Sequence, residues 1–128
     1  FIVVKNKATL KKIAEITPNA RMAKEAPLAI VVCGDMRNES NDLVREFWVQ
    51  DASAATQNIL LAAHAMELGA VWTGTYPAQN RCEAISQLLN LPSSIIPFST
   101  IVIGYPKETQ QPKDKWKEEN ISYEVFGE

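Results

Sequence analysis

One segment of this sequence carries almost no charge, and it limits how the chain can fold. Between Asp51 and Glu67 there is no charged side chain, and most residues there are apolar. Ten of them are Ala52, Ala54, Ala55, Ile59, Leu60, Leu61, Ala62, Ala63, Ala65 and Met66. The composition predicts a helix over 51–68 that is apolar on most of its surface and must be covered on most of it. A chain of 128 residues rarely supplies that cover alone, so we expect a partner subunit.

A narrow polar stripe runs along the same segment. At 100° per residue, Ser53, Gln57 and His64 fall within a small arc, with Thr56 and Glu67 just beside it. His64 is the only histidine, so no second one can join it at a metal, and no cysteine or serine is arranged with it as a nucleophile. We therefore expect His64 to be a hydrogen-bonded structural or interface residue.

Strands and helices alternate along the chain, without an internal repeat or a linker. The patterns predict strands at 1–5, 28–33, 70–75 and 98–105, and helices at 8–16, 51–68 and 79–89. They also predict a short helix near 20–24, a polar loop at 38–42, a helical turn or short helix at 43–48, and a loop containing Pro92 and Pro97. The sequence thus predicts one mixed α/β domain spanning 1–128.

Charge and cysteine usage exclude several classes of protein. Thirteen basic and 15 acidic residues are interspersed and give a net charge of −2, which argues against nucleic acid and anionic membranes as partners. No apolar run approaches the roughly 18 residues of a membrane-spanning helix. Cys33 and Cys82 are far apart and show no metal-binding spacing. We expect no metal site, and two buried or half-buried free thiols in a reducing cytoplasm.

The first candidate binding element follows Gly69, where an apolar strand runs into Trp72-Thr73-Gly74-Thr75. Gly74 removes the side chain at the end of that strand, so a flat ligand could rest there against bare backbone. A buried strand that simply enters a turn accounts equally well for the same four residues.

The second candidate element lies in the polar tail. Lys113 and Lys115 are two residues apart, so in an extended segment both ammonium groups project to one side, as capture of a phosphate dianion requires. The composition of 107–117 is also that of a solvated arm. Residues 121–126 then alternate apolar and polar, which predicts a strand that docks on a sheet edge, such as the partner's.

Two of these stretches resemble the nitroreductase family of flavin mononucleotide (FMN) enzymes. They are WVQDASAATQNILLAAHAMELGAVWTG, which begins at Trp48, and GYPKETQQPKDKW, from Gly104 to Trp116. The resemblance runs in order and spacing through nearly the whole chain. It implies an α+β fold with a central, mostly antiparallel sheet flanked by helices, in a domain-swapped homodimer. In such a dimer the arm 107–128 docks on the partner subunit.

The resemblance also implies roles for site residues. Trp72, Thr73, Gly74 and Thr75 would contact FMN, with the backbone N–H of Gly74 or Thr75 directed at the flavin N5 and no catalytic side chain. Lys113 and Lys115 would hold the flavin phosphate where the family carries a Lys-x-Arg pair. Because Lys115 replaces the arginine, a point charge stands in place of a bidentate fork, and we expect looser phosphate binding.

The implied activity is that of an FMN-dependent oxidoreductase. Hydride would pass from NADH or NADPH through the flavin N5 to a nitroaromatic, quinone or flavin acceptor in a ping-pong cycle. No Gly-x-Gly-x-x-Gly motif is present, so the nicotinamide would bind over the flavin. The alternatives are a specialised flavin enzyme of dehalogenase, flavin-fragmenting or dehydrogenase type, and a non-catalytic flavin-binding or dimerisation domain. The family's usual N-terminal segment does not precede Phe1, so we expect the sequence to be part of a longer protein. Without that segment, we expect residues 1–128 to bind flavin poorly.

Overall fold

The computed structural model describes residues 1–37, 42–108 and 111–127, and within helix 42–46 it leaves out the side chain at position 44. The described residues form four strands: β1 (Ile2–Val4), β2 (Leu28–Asp35), β3 (Gly69–Gly74) and β4 (Ile95–Gly104). The α-helices are α1 (Lys7–Ile16), α2 (Asp42–Glu46), α3 (Trp48–Ala65) and α4 (Gln79–Leu89). Short 3-10 helices cover Arg21–Lys24 and Glu118–Asn120. The predicted polar loop at 38–42 falls almost wholly outside the described residues.

The strands form one antiparallel sheet in the order β1-β2-β4-β3. Strand β4 is central, and its residues 97–103 are all buried, because helices cover both faces of the sheet. Strand β3 pairs only with β4 in the described chain and so forms an open edge, with Gly69 opposite Gly104 and Gly74 opposite Ser99. The α+β prediction with a mostly antiparallel sheet is confirmed.

Two apolar clusters hold the helices on the sheet. On one face, Leu10 and Ile13 of α1 and Ile85 of α4 are fully buried with Val31 of β2. On the other face, α3 packs on the sheet around Ile101, Phe98 and Ala52. The strand end that follows β3 therefore lies between α3 and α4, the two helices that flank it in sequence.

Helix α3 begins and ends three residues earlier than the predicted range 51–68. It ends at Ala65 because Glu67 adopts a left-handed conformation with φ 58°, and two hydrogen bonds close the end. The Leu68 N–H donates to the Ala63 carbonyl at 2.9 Å and the Glu67 N–H to the His64 carbonyl at 3.0 Å. In this capping pattern a glycine usually occupies the position that Glu67 takes here. From the sequence, Gly69 was expected to end the helix instead.

Only one stripe of α3 is buried in the described chain, namely Ala52, Thr56 and Ala63. Leu61 is 57% exposed and Met66 69% exposed, although both are large and apolar. Thr56, expected beside the polar stripe, lies instead in the core, where it meets Ser99 of β4. The uncovered apolar surface on the helix is the feature from which a partner subunit was predicted.

Strand β4 begins at Ile95, three residues before the predicted start at 98, and the predicted loop residue Pro97 lies inside it. Pro97 faces Cys33 of β2 at a register shift between Val32 and Cys33. A proline has no N–H for the ladder, and a bulge is where a sheet tolerates one.

The predicted strand at 121–126 is wrong for the described chain. After the 3-10 helix Glu118–Asn120 the backbone makes only bends and turns, and the Phe126 side chain is fully exposed. A single segment forms a strand only when a neighbour supplies hydrogen bonds, and within the described residues the tail pairs with no strand. In the described part of the chain, no helix is long and apolar enough to cross a membrane.

Candidate functional site

The end of strand β3 is held in place by its neighbour β4. Thr73 is buried, and its hydroxyl donates to the Thr100 carbonyl at 2.7 Å. Thr75 is fully buried, and its backbone N–H donates to the Phe98 carbonyl at 3.1 Å. Trp72 is partly exposed, and its ring centroid lies 5.8 Å from that of Phe98. The four predicted residues 72–75 thus form one rigid strand end.

Gly74 presents its backbone to the open edge of this strand. In an antiparallel pair the residues alternate between those bonded to the partner and those directed away from it. Because Thr75 bonds Phe98, the N–H and carbonyl of Gly74 point away from β4. The carbonyl confirms this direction, since it accepts a hydrogen bond from the Arg81 Nη1 at 3.1 Å. A Cβ at Gly74 would meet no atom within 4 Å, so the space beside this backbone is open.

The sequence left open whether Gly74 or Thr75 carries the free donor. In the described structure the Thr75 N–H is used by Phe98, whereas the Gly74 N–H is directed at the open edge. Of the two backbone donors, that of Gly74 is therefore the one that β4 does not use.

An aromatic cluster supports the turn that follows. The Trp48 ring packs edge-on against Tyr76, with centroids 4.8 Å apart, and against Phe98 at 5.9 Å. The Tyr76 N–H donates to the same Phe98 carbonyl as Thr75, at 2.9 Å. Gly34 at the end of β2 makes room for Trp48, because a Cβ there would overlap the indole ring.

A cleft of about 510 Å³ opens beside this turn. Its lining combines the Trp48 and Tyr76 rings with Met36 and Ile96, and with the charged residues Asp42, Arg45 and Glu46 of α2. Aromatic walls with a charged rim are typical of a site for a flat, polar molecule. No role for Trp48 or α2 could be predicted from the sequence, because their position beside Tyr76 depends on the packing of α3.

Lys113 and Lys115 are exposed in a part of the tail that forms neither helix nor strand. Within the described residues neither forms an ion pair, and no hydrogen bond joins them to 72–75. The Oδ1 of Asp114, between them, accepts a hydrogen bond from the Trp116 N–H at 3.0 Å. In the described chain, the two candidate elements are thus not linked by a hydrogen bond or an ion pair.

The remaining reactive side chains are separate from the strand end. Cys33 and Cys82 are half-buried free thiols, as predicted, and burial raises the pKa of each. His64 is exposed, and its side chain makes no hydrogen bond within the described residues, so the hydrogen bond expected of it is not formed there. Within the described residues, no three histidine, cysteine or acidic side chains are grouped so that they could hold a metal ion.

Comparison with known proteins decides the family. Residues 1–105 match the sequence model of the nitroreductase family. This chain is a nitroreductase-family protein. The match ends just before the polar tail, and it includes the whole sheet and all four α-helices.

The nitroreductase relatives are longer than this chain. A protein of Methanothermobacter thermautotrophicus, provisionally named NADH dehydrogenase/NAD(P)H nitroreductase, is 49% identical over 126 residues. That alignment covers 98% of this chain and 64% of the relative. A second relative with the same provisional name, from Archaeoglobus fulgidus, is 44% identical, and 61% of its length is covered. The chain thus spans less than two thirds of the length of each of these two relatives.

Solved nitroreductase structures agree with the fold. A Bacteroides thetaiotaomicron protein with the same provisional name superposes with a TM-score of 0.89 at 42% identity, over 98% of this chain and 71% of the other. An FMN-dependent nitroreductase from Clostridium difficile gives a TM-score of 0.84 at 28% identity, over 98% and 74%. The sheet and helices described above are therefore those of the family.

Proposed function

We propose that this nitroreductase-family chain belongs to an FMN-dependent NAD(P)H oxidoreductase. The observation that carries the proposal is the Gly74 strand end, where a backbone N–H points to the open edge of the sheet and the space that a side chain would fill is free. Bound FMN would accept hydride from NADH or NADPH and pass the electrons to a nitroaromatic, quinone or flavin acceptor in a ping-pong cycle. Names of relatives support this choice, including the FMN reductase [NAD(P)H] of Bacillus subtilis, which is 25% identical.

The residues around Gly74 fit a flat ring system. The absence of a side chain leaves the backbone accessible, and Thr73 and Thr75 fix it through hydrogen bonds to β4. A donor that is held in place before the reaction stabilises developing negative charge without a reorganisation cost. Gly74 would therefore act through its N–H, with Trp72 and the two threonines shaping and holding the contact surface.

Lys113 and Lys115 would hold the FMN phosphate. Both are exposed and have no ion-pair partner within the described residues, and their spacing places both ammonium groups on one side of an extended segment. Because no hydrogen bond or ion pair links them to Gly74 in the described chain, the proposed site requires a second subunit to position the tail.

We propose that the second subunit is another copy of this chain. Leu61 and Met66 leave an apolar face of α3 uncovered. The open edge of β3 borders an apolar cleft of about 410 Å³ that includes Val71. Exchange of the tail 107–128 would place its exposed apolar side chains, such as Phe126, against the other copy. The half-buried free thiols are typical of a reducing compartment, so we also propose a cytoplasmic location.

The activity is tested most directly by colour. The protein expressed from its complete gene should purify yellow, lose its colour with NADH or NADPH, and regain it with a nitroaromatic or a quinone. A yellow protein that neither nicotinamide bleaches would contradict the proposed activity and favour a non-catalytic flavin-binding domain. A protein that turns over one unusual substrate alone would favour a specialised flavin enzyme.

The site is tested by a matched pair of substitutions at Gly74. Gly74→Pro removes the N–H at a position where the ladder does not use it, and an edge strand tolerates such a proline. Gly74→Ala keeps the N–H, and its Cβ meets no atom within 4 Å. We expect flavin reduction by NADH to slow roughly 100-fold or more in Gly74→Pro, as for loss of one oriented donor, and to change little in Gly74→Ala. Equal rates in the two variants would place the donor elsewhere.

A further inference from the structure

Arg81 connects helix α4 to the candidate site. It lies in the first turn of α4, where its backbone N–H donates to the Ala78 carbonyl at 3.0 Å. Its side chain reaches back to strand β3, and the Nη1 donates to the Gly74 carbonyl at 3.1 Å. The guanidinium group is therefore fixed at the end of the strand.

The direction of this hydrogen bond places the charge on the ligand side of the strand. The N–H and carbonyl of one residue in a strand point the same way, so both groups of Gly74 face the open edge. The guanidinium that binds the carbonyl lies on that same edge, beside the Gly74 N–H. A molecule that accepts a hydrogen bond from Gly74 would have a cation as its neighbour.

The charge of Arg81 is not paired with an acid. Within the described residues, the ion pairs involve Lys12, Lys24, Arg37 and Lys117, and no carboxylate meets Arg81. The hydrogen bond to Gly74 uses one of the five guanidinium N–H groups. An exposed hydrogen bond that only joins a helix to a strand needs no charge, since a neutral donor could form it.

We propose that Arg81 is a positioning residue that also favours the reduced state of the bound flavin. It fixes the Gly74 carbonyl, and with it the direction of the Gly74 N–H, and its positive charge stabilises the negative charge that a flavin gains on reduction. This inference rests on the proposed function, because it requires FMN at the Gly74 strand end.

The test compares two variants of the protein expressed from its complete gene. Arg81→Gln removes the charge and leaves a shorter, neutral donor, whereas Arg81→Lys keeps the charge and loses the planar fork. The measured quantity is the reduction potential of bound FMN, obtained with a dye of known potential. Arg21→Gln is the control, because it removes an exposed arginine from the 3-10 helix Arg21–Lys24. Circular dichroism and thermal unfolding verify that each variant folds.

In Arg81→Gln, we expect the ratio of the affinity for reduced FMN to the affinity for oxidised FMN to fall at least tenfold. This fall corresponds to a reduction potential about 30 mV lower. Arg81→Lys should retain most of the parent potential, and Arg21→Gln should match the parent. A folded Arg81→Gln variant with the parent potential would overturn the inference and leave the proposed function intact. A parent protein that binds no FMN would overturn both. If Arg81→Gln fails to fold, Arg81→Lys provides the test. A reduction potential in Arg81→Lys that is lowered by the equivalent of a tenfold affinity ratio would overturn the role of charge.

Discussion

The hydroxyl groups of Thr56 and Ser99 lie 2.9 Å apart, fully buried between helix α3 and strand β4. The Thr56 hydroxyl also donates to the Ala52 carbonyl at 2.7 Å, so the Ser99 hydroxyl is the donor of the pair. This contact joins the helix to the central strand through polar atoms inside an otherwise apolar layer. It satisfies both hydroxyl groups where no water is needed.

Replacing Thr56 with valine should therefore destabilise the protein. The substitution keeps the shape of the side chain and leaves the Ser99 hydroxyl buried without its acceptor, at a cost of about 1–3 kcal/mol in the free energy of unfolding. Urea unfolding of Thr56→Val, Ser99→Ala and the double variant measures this cost. The double variant should lose less stability than the sum of the two single variants, and strict additivity would show that the hydroxyl groups are not coupled.

Gly34 and Gly69 differ in what an added methyl group would meet. At Gly34 a Cβ would overlap the Trp48 ring, whereas at Gly69 the nearest atom, the Gly104 carbonyl oxygen, lies at 3.4 Å. Gly34→Ala should lower the free energy of unfolding by about 1–3 kcal/mol, as overpacking does, and Gly69→Ala should have a much smaller effect. Thermal unfolding of the two variants tests the comparison, and equal losses would show that Trp48 moves aside freely.

Glu67 occupies a left-handed conformation that favours glycine. Glu67→Gly should raise the free energy of unfolding by about 0.5–1 kcal/mol, because the strain at φ 58° disappears. The matched control is Glu83→Gly, at an exposed position inside helix α4, where the same change should cost about 1 kcal/mol. Effects of the same sign in the two variants, measured by chemical denaturation, would contradict the assignment of Glu67 as the helix stop.

Phosphate capture by the tail predicts a selective loss of affinity. Lys113→Ala combined with Lys115→Ala should weaken FMN binding and leave riboflavin binding almost unchanged, since riboflavin has no phosphate. Each charge-assisted contact contributes about 1.5–3 kcal/mol, so we expect roughly tenfold or more per lysine. Lys117→Ala is the control, because this nearby lysine already has an acidic partner: its Nζ lies 4.0 Å from the Oε1 of Glu119. Equal losses for FMN and riboflavin in a fluorescence titration would locate the phosphate elsewhere.

A homodimer built on α3 predicts different outcomes for one substitution at two places. Ala62→Glu puts a charge on the exposed apolar surface of α3, where an interface would bury it at a cost of several kcal/mol. Ala8→Glu makes the same change on the exposed first turn of α1, where an acidic side chain is favourable. Sedimentation should show a dimer for Ala8→Glu and a monomer or aggregate for Ala62→Glu. A well-folded monomeric parent at micromolar concentration would contradict the dimer.

The sequence predicted the elements better than their contacts. The uncharged stretch after Asp51 identified helix α3, because its composition has one plausible structure. From the sequence, Thr56 was expected beside the polar stripe. The sequence alone does not show that a polar side chain is buried with its hydrogen bonds satisfied, as Thr56 is. The tail 121–126 alternates as a strand does, but alternation cannot form a ladder without a second strand.

At the candidate site, the sequence pointed to the strand end at Gly74 but not to the residues that hold it. Gly74 could be predicted because a glycine at the end of an apolar strand leaves open space. Its neighbours Arg81 and Trp48 could not, because their roles depend on the register of β3 on β4 and on the packing of two helices. Register also decides which of the two backbone donors is free, and no residue type signals it.

The backbone oxygen of Phe98 accepts from two successive residues, Thr75 and Tyr76. A carbonyl group is common to all amino acids, so no point mutation deletes this acceptor. The backbone path around the strand end is thus determined by β4, the most deeply buried strand. It does not depend on the side chains that line the cleft. Substitutions among those side chains would change the shape and charge of the cleft, while the Gly74 N–H would keep its position.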